Sequence, residues 1–348
     1  MMSERTHRAA VIGLGMIGGA DQVSGDALGQ RVENMDGTHA VAYQNHPRVQ
    51  LIAGASRDEG RRTRFEARTG AKTYADWREM IASEDIDIVS VATYTPFHAE
   101  ITIACAEQGI PVVFCEKPAA TRLVDAERML AVCEQKKALL VFNHQRRFDL
   151  NHRKLQSLIQ EGGLGDLTSA SLQWPSGRLG NVGTHAIDAL LMLTGRRIQS
   201  VSATLDLAGR PDCRGSDFRD PGGWGVLRMA GDVMVTVSAS DYANFPARTE
   251  INGSKGRAIL GAKAVTLEFW DGHSEHWPAA QDGISGADRA VSEMVDWLGK
   301  ETPFPYDAEE AVHTLETIVA FHASHYKHAQ WVDVPLVGAD RDLEVLSG

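Results

Sequence analysis

Short apolar runs separated by amphipathic stretches dominate the first 145 residues. The runs are Ala9–Gly13, Val49–Gly54, Ile86–Ala92, Pro111–Phe114 and Ala138–Phe142, each rich in β-branched residues and nearly free of charge. They are too short for helices and read as strands covered on both faces, as a parallel sheet requires. Helical patterns lie between them at Asp58–Thr69, Asp76–Ser83, Pro96–Gln108 and Thr121–Lys136. Proline in the first turn of the Pro96 segment and Gly109 just past its end are the usual helix punctuation. This alternation predicts an α/β domain over residues 1–145, built on a doubly wound parallel sheet.

The pattern changes after a helix at Phe148–Glu161, which Gly162–Gly163 ends. Strand-like runs follow at Leu167–Gln173, Gln199–Leu207, Gly225–Met229, Val233–Ala239, Arg248–Asn252, Arg257–Leu260 and Val265–Trp270. Few helices intervene, so residues 146–348 are expected to form an α+β domain on a large, mostly antiparallel open sheet. Helices return at Ala287–Lys300 and Ala308–His328, and the last segment is expected to pack back on the first domain. Arg210–Gly223, with its Gly, Pro and mixed charges, reads as a surface loop.

Composition narrows the functional classes. The 348 residues carry 35 Lys+Arg against 46 Asp+Glu, a net charge of −11, which argues against a nucleic-acid-binding surface. No apolar run approaches the ~18–20 residues that span a bilayer, so no membrane partner is expected. The basic start Arg5–Arg8 and the apolar Ala9–Ala20 imitate a signal peptide, but Asp21 follows at once and no cleavage site is convincing. Cys105, Cys115, Cys133 and Cys213 form no C-x-x-C pair and have no zinc-like spacing. A reduced, cytoplasmic chain with buried thiols and no metal is the expectation.

Glycine content, 33 of 348 residues, directs attention to where the glycines sit. Gly13-Leu14-Gly15-Met16-Ile17-Gly18 follows the first strand directly, the position a dinucleotide fingerprint requires. Gly13 permits the turn, Gly15 lets backbone approach a pyrophosphate, and Gly18 allows close packing on the sheet, with Met16 and Ile17 at the same turn. A helix should begin at once and aim its N–H groups at the phosphates. Instead Ala20–Gly37 intervenes, an insertion of about eighteen residues, and a convincing helix begins only around Thr38. The insertion either wraps the cofactor or overhangs the substrate, or has no catalytic consequence. The second strand ends in Ser56 and Arg57, where a carboxylate would bind the adenosine ribose of NAD. A hydroxyl and a guanidinium suit a 2′-phosphate, so the cofactor is NAD or NADP with a tilt toward NADP; the other reading has Arg57 stacking on adenine.

Cys115-Glu116-Lys117-Pro118 follows the strand ending at Phe114, on the carboxyl edge where open parallel sheets bind ligands. A Lys117 ammonium beside a reacting hydroxyl would hold its oxygen and stabilise developing alkoxide, or would carry the proton itself if desolvated. Further on, Asn181, His185 and Asp188 stand at i, i+4 and i+7, which on a helix is one face. An imidazole suits the removal of a hydroxyl proton near neutral pH. Asp188 orients His185, touches substrate, or pairs within the helix.

Together, the glycine turn, Glu116-Lys117-Pro118, Thr93-Tyr94-Thr95-Pro96-Phe97-His98, Asn143 to Phe148 and Gly253-Ser254-Lys255-Gly256 resemble the Gfo/Idh/MocA family of glucose–fructose oxidoreductases and inositol dehydrogenases. The resemblance spans nearly the whole chain. It implies an N-terminal Rossmann domain, with Thr93, Pro96, His98 and Glu116 at the cofactor, and a C-terminal domain whose open sheet makes a homodimer or homotetramer. It also implies a small carbohydrate substrate, oxidised or reduced at a secondary carbon of a sugar, sugar acid or cyclic polyol. The family motif Asp-x-x-x-His-x-x-Asp is matched by His185 and Asp188, whereas Asn181 replaces its first aspartate. An amide cannot take a proton, which leaves His185 as the acid/base, with Asn181 and Thr184 beside substrate.

Other groups have bland and functional readings. Arg146, Arg147 and His144 either meet an anionic substrate group or, as such clusters more often do, secure the interdomain helix; Arg146 is the substrate candidate. Trp174, Arg178 and Trp224 are candidates for a sugar-binding wall. His313, His322, His325 and His328 read as a solvated or interface helix face. Two other functions compete with the dehydrogenase: a glycosidase working by transient ring oxidation and elimination, and a cofactor-sensing protein without catalysis, against which the Lys117/His185 pair argues.

Overall fold

The computed structural model describes residues 5–23, 35, 37–175, 177–207, 215, 217–240, 245–261 and 263–347. The chain divides into two compact units, the first Met1–Ala120, Asp125–Asn143 and Ile284–Ala308, the second Thr121–Val124, His144–Gly283 and Glu309–Gly348. The interior stretch Ile284–Ala308 groups with the first unit, and Glu309–Gly348 with the second.

The first unit carries a six-stranded parallel sheet of β1 (His7–Ile12), β2 (Val49–Ala55), β3 (Lys72–Tyr74), β4 (Ile88–Val91), β5 (Val112–Cys115) and β6 (Leu139–Phe142). Its order, β3-β2-β1-β4-β5-β6, is the doubly wound arrangement, with the crossover reversing between β1 and β4. Register makes one edge functional: Ile12 pairs with Val91, Val91 with Cys115, and Cys115 with Phe142. Gly13, Ala92, Glu116 and Asn143, the residues next in chain, therefore leave the sheet side by side. β3 escaped the sequence reading because an edge strand of three residues has no apolar run to see.

Helices α1 (Met16–Gly19), α2 (His39–Asn45), α3 (Glu59–Thr69), α4 (Trp77–Ser83), α5 (His98–Glu107) and α6 (Leu123–Lys136) join these strands. The expected start of a helix near Thr38 is met by α2, but a single turn, α1, also forms directly after the glycines. Ala20 at φ +56° ends it. Of the insertion, residues 24–34 and 36 lie outside the described residues. Its two described ends meet: buried Met35 packs with Met16 and Ala20, and Val41 of α2 packs against that cluster.

In the second unit, strands β7 (Leu167–Gln173), β8 (Ile198–Leu205), β9 (Gly223–Met229), β10 (Val233–Ala239), β11 (Arg248–Gly253), β12 (Gly256–Gly261), β13 (Ala264–Phe269), β14 (Ser274–Trp277) and β15 (Val332–Asp333) form one mixed sheet. All pairings are antiparallel except β7 with β10. Its helices are α7 (Leu150–Gln160), α8 (Thr184–Thr194) and α10 (Glu309–Tyr326); α9 (Gly286–Leu298) belongs to the first unit, where Asn45 of α2 donates to Asp288 at 3.0 Å.

The expected solvated or interface face is met at exposed His328, just past the end of α10, and is corrected for His313 and His322. His313 and His322 are buried, and the Ile198 and Leu205 N–H groups of β8 donate to His313 Nε2 (3.0 Å) and His325 Nδ1 (3.1 Å). β15 is two residues long and leaves donors of β8 unpaired, so α10 supplies acceptors in its place. Among the described residues no group of three or more His, Cys, Asp or Glu is placed to hold a metal, and no helix is long and apolar enough to cross a membrane. Cys105, Cys115 and Cys133 are free and buried; Cys213 lies outside the described residues.

Candidate functional site

The glycine turn is as tight as its sequence demands. Gly13 sits at φ +99°, and a Cβ there would lie 2.3 Å from the Ala92 carbonyl oxygen. A Cβ on Gly18 would lie 2.1 Å from the Gly13 oxygen, so only glycine lets α1 press on the strand ends. Gly15 precedes α1 in extended backbone; Met16 is buried beneath the turn, whereas Ile17 is 40% exposed on its outer side. The chain beyond is lashed to α3: Arg64 meets buried Asp21 through two bonds of 2.9 and 2.6 Å, and Arg68 donates to the Gly19 carbonyl. Burial pushes the Asp21 carboxyl up, but Arg64 and the Val23 N–H bring it below its ordinary value.

At the end of β2, the Ser56 hydroxyl accepts from Asp58 N–H at 3.3 Å. Arg62 donates to the carbonyls of Ser56 and Arg57, at 2.7 and 2.9 Å, and so shapes this corner. Exposed Arg57 extends over the Phe97 ring, 5.8 Å from its centroid. Pro96 lies in the short turn Thr95–Phe97 and is exposed, next to half-buried Thr93. His98 is buried, with its ring nitrogens 3.0 Å from the Thr93 oxygen and 2.9 Å from the Pro118 oxygen. It braces two loops from beneath, and burial holds its pKa below the usual value despite those carbonyls.

Glu116 occupies the centre of a buried polar cluster. Its Oε1 accepts from His39 Nε2 at 2.9 Å and from Asn143 Nδ2 at 2.6 Å, while its Oε2 accepts the Lys117 N–H at 3.3 Å. Burial raises the carboxyl's pKa, yet the His39 bond and charge, the Lys117 charge and the Asn143 bond together carry it down to about 2. Lys117 follows, half-buried, and the Lys117–Pro118 bond is cis. His39 and its second partner, Ser90, lay outside the sequence-derived set. No local pattern marks a histidine that opens a helix as the partner of a glutamate far along the chain.

In the second unit, the single helical face expected for Asn181, His185 and Asp188 is corrected. Asn181 lies in a π-helical turn, Leu179–Gly183, and α8 begins only at Thr184. Residues 181 and 185 are therefore not one α-helical turn apart. Asp220 accepts the N–H groups of Gly180 and Asn181, each at 2.7 Å, and the π-turn forms around it. Asp220 is buried, so the expected surface loop ends in a structural anchor. Trp174 is also corrected as a sugar-stacking candidate. It is 1% exposed, donates to Gly177 O at 2.8 Å, and fills the space where a Gly183 side chain would stand.

Asp188 faces away from solvent and holds Arg147: Nε lies 3.0 and 2.9 Å from its two oxygens, and Nη2 2.7 Å from Oδ1. His144 Nδ1 lies 3.3 Å from the same oxygen, and His144 Nε2 2.9 Å from the Thr184 hydroxyl. The His144 ring meets His185 edge-on, 5.9 Å between centroids. His185 stays half-buried at the start of α8, beside the His144 ring, which Thr184 holds. Arg146 is half-buried; burial lowers its pKa against the charges of Asp188 and Asp149.

Residues 7–144 match the family model described as oxidoreductase family, NAD-binding Rossmann fold, and residues 152–259 match the Gfo/Idh/MocA C-terminal domain. A levoglucosan dehydrogenase of Pseudarthrobacter phenanthrenivorans is 30% identical, over 81% of this chain and 87% of its own length. The chain belongs to the Gfo/Idh/MocA family. An inositol 2-dehydrogenase of Saccharopolyspora erythraea is 32% identical over 46% of this chain, and that match spans only 42% of the relative. The fold is that of the WlbA dehydrogenase of Bordetella pertussis solved with NADH and UDP-GlcNAcA (TM-score 0.78, 20% identity, 97% of this chain and 100% of that one). As a Gfo/Idh/MocA oxidoreductase the chain is of an NAD-binding kind, and its own residues fit that group. The Gly13/Gly18 turn leaves room for backbone alone at the switch point of the sheet, where open α/β sheets hold a pyrophosphate.

Proposed function

We propose that this protein is an NAD(P)-dependent dehydrogenase acting on a secondary hydroxyl of a sugar, sugar acid or cyclic polyol. The observation that carries the reading is Lys117, set one residue beyond an ionised, half-buried Glu116 on the carboxyl edge of the sheet that also bears the glycine turn. The names of the relatives, an inositol 2-dehydrogenase and a levoglucosan dehydrogenase, support this substrate class.

When bound, the nicotinamide would supply the hydride acceptor. Lys117 holds the reacting oxygen and stabilises negative charge as it develops, which is worth most where water is excluded. His185, half-buried beside the His144 ring, takes the hydroxyl proton, while Asn181 and Arg146 orient the substrate; buried Thr184, its hydroxyl paired with His144, supports them from below. Asp188 acts through Arg147 and His144 as a positioning residue. Ser56 and Arg57 favour NADP over NAD by supplying a hydroxyl and a guanidinium with no carboxylate ahead of them. The open face of the nine-stranded sheet, which exposes 43% of Trp224, is the surface proposed to join copies into a homodimer or homotetramer.

Absorbance at the reduced-nicotinamide band, with NAD or NADP and a panel including myo-inositol and levoglucosan, tests the proposal. Steady cofactor reduction is expected with one of these classes, and Lys117→Ala and His185→Ala are each expected to lower kcat at least about 100-fold. Full turnover in either variant would refute the assigned chemistry. Arg57→Leu is expected to raise KM for NADP and leave that for NAD nearly unchanged.

A further inference from the structure

A chain of buried polar groups runs beneath Lys117 and is not used by the chemistry above. The Tyr43 hydroxyl lies 2.6 Å from Ser90 Oγ, Ser90 Oγ 2.7 Å from His39 Nδ1, and His39 Nε2 2.9 Å from Glu116 Oε1. Tyr43, Ser90 and His39 are each at or near zero exposure, and the His39 ring also leans on Phe114 of β5, 4.4 Å between centroids. His39 is the first residue of α2, and the turn before it is closed by Thr38, whose hydroxyl donates to Met35 O at 2.8 Å. The end of the insertion is thus tied to the imidazole.

From this geometry we infer that His39 is a positioning residue for Lys117. With both ring nitrogens engaged, it fixes one oxygen of Glu116, and the other oxygen fixes the Lys117 backbone N–H. Asn143 donates to the same Oε1 but from just beyond β6, so it cannot replace the restraint from α2. A carboxylate held from one side only would rotate about its terminal torsion and release the lysine backbone. This inference rests on the assignment of Lys117 to the reacting oxygen.

The test compares His39→Ala, His39→Gln and Lys117→Ala in the intact protein, with NAD or NADP and whichever of myo-inositol and levoglucosan is turned over. Gln can place its amide nitrogen where Nε2 lies, donating to Glu116 without the Ser90 contact. His39→Ala is expected to lower kcat roughly 10- to 100-fold, the worth of one charge-assisted hydrogen bond, with the KM for cofactor changed less than about twofold. His39→Gln is expected to recover most of that loss, although both variants forfeit the Ser90 bond. Equal losses in Ala and Gln that track the melting temperature would overturn the inference, as would an Ala variant with full kcat. An inactive Lys117→Ala beside a fully active His39→Ala would sink the positioning role alone. A fully active Lys117→Ala would remove the chemistry on which it rests.

Discussion

Replacing Asp188 by alanine separates two roles that the motif alone confounds. The carboxylate is fully buried and makes three contacts of 2.7 to 3.0 Å with a guanidinium whose side chain is only 4% exposed. Removing it strands the Arg147 cation, whose remaining anionic partner, Glu310, is 43% exposed and screened. Breaking one side of a buried pair costs about 3–5 kcal/mol, because the other charge stays desolvated. At about 2–4 °C per kcal/mol for a unit of this size, the second unit should melt roughly 6–20 °C lower. Differential scanning calorimetry of Asp188→Ala, Arg147→Met and the double variant measures it. The double variant should recover most of the loss, since two neutral side chains need no partner. An Asp188→Ala variant within about 1 kcal/mol of the parent, or strictly additive losses, would refute the argument. Loss of kcat in Asp188→Asn at unchanged melting temperature would show the positioning role apart from the structural one.

Three further outcomes are expected. His322 is buried, and burial, reinforced by the charges of His325 and Arg219, holds its pKa down to about 4. The unfolded chain takes this proton near the ordinary value of 6.5 and the native state only near 4, so stability falls as pH drops through that window. The loss reaches about 3 kcal/mol, and urea titrations between pH 7.5 and 4.5 should show it shrink in His322→Leu. Gly18→Ala forces a Cβ to 2.1 Å from the Gly13 oxygen, so isothermal titration should find NADH affinity lost along with about 1–3 kcal/mol of stability. Asp220→Ala leaves the Gly180 and Asn181 N–H groups without their acceptor; KM for the sugar or polyol should rise several-fold with little change in KM for cofactor.

Five of the six strands of the first unit, the helices between them from α3 to α6, the glycine turn and the place of Lys117 were legible in the chain, whereas the short edge strand β3 and the single turn α1 were not. Strand periodicity and charge-free runs are local properties, and Gly13 and Gly18 are required by the backbone they occupy. His185 was legible as a candidate for the same reason, since it stands in a short motif. What the tertiary structure alone decided is which groups meet. His39 and Glu116 are 77 positions apart, and Arg147 and Asp188 are 41 apart, yet each pair is in hydrogen-bond contact away from bulk solvent. Asp220 sits 40 residues beyond the Gly180 N–H it accepts, and so shapes a π-turn where a regular helix was expected. Such pairings follow from strand order, register and helix placement, which bring distant residues to one place. A burial pattern of period two or 3.6 shows which face of an element is covered. It carries no record of the residue that will cover it.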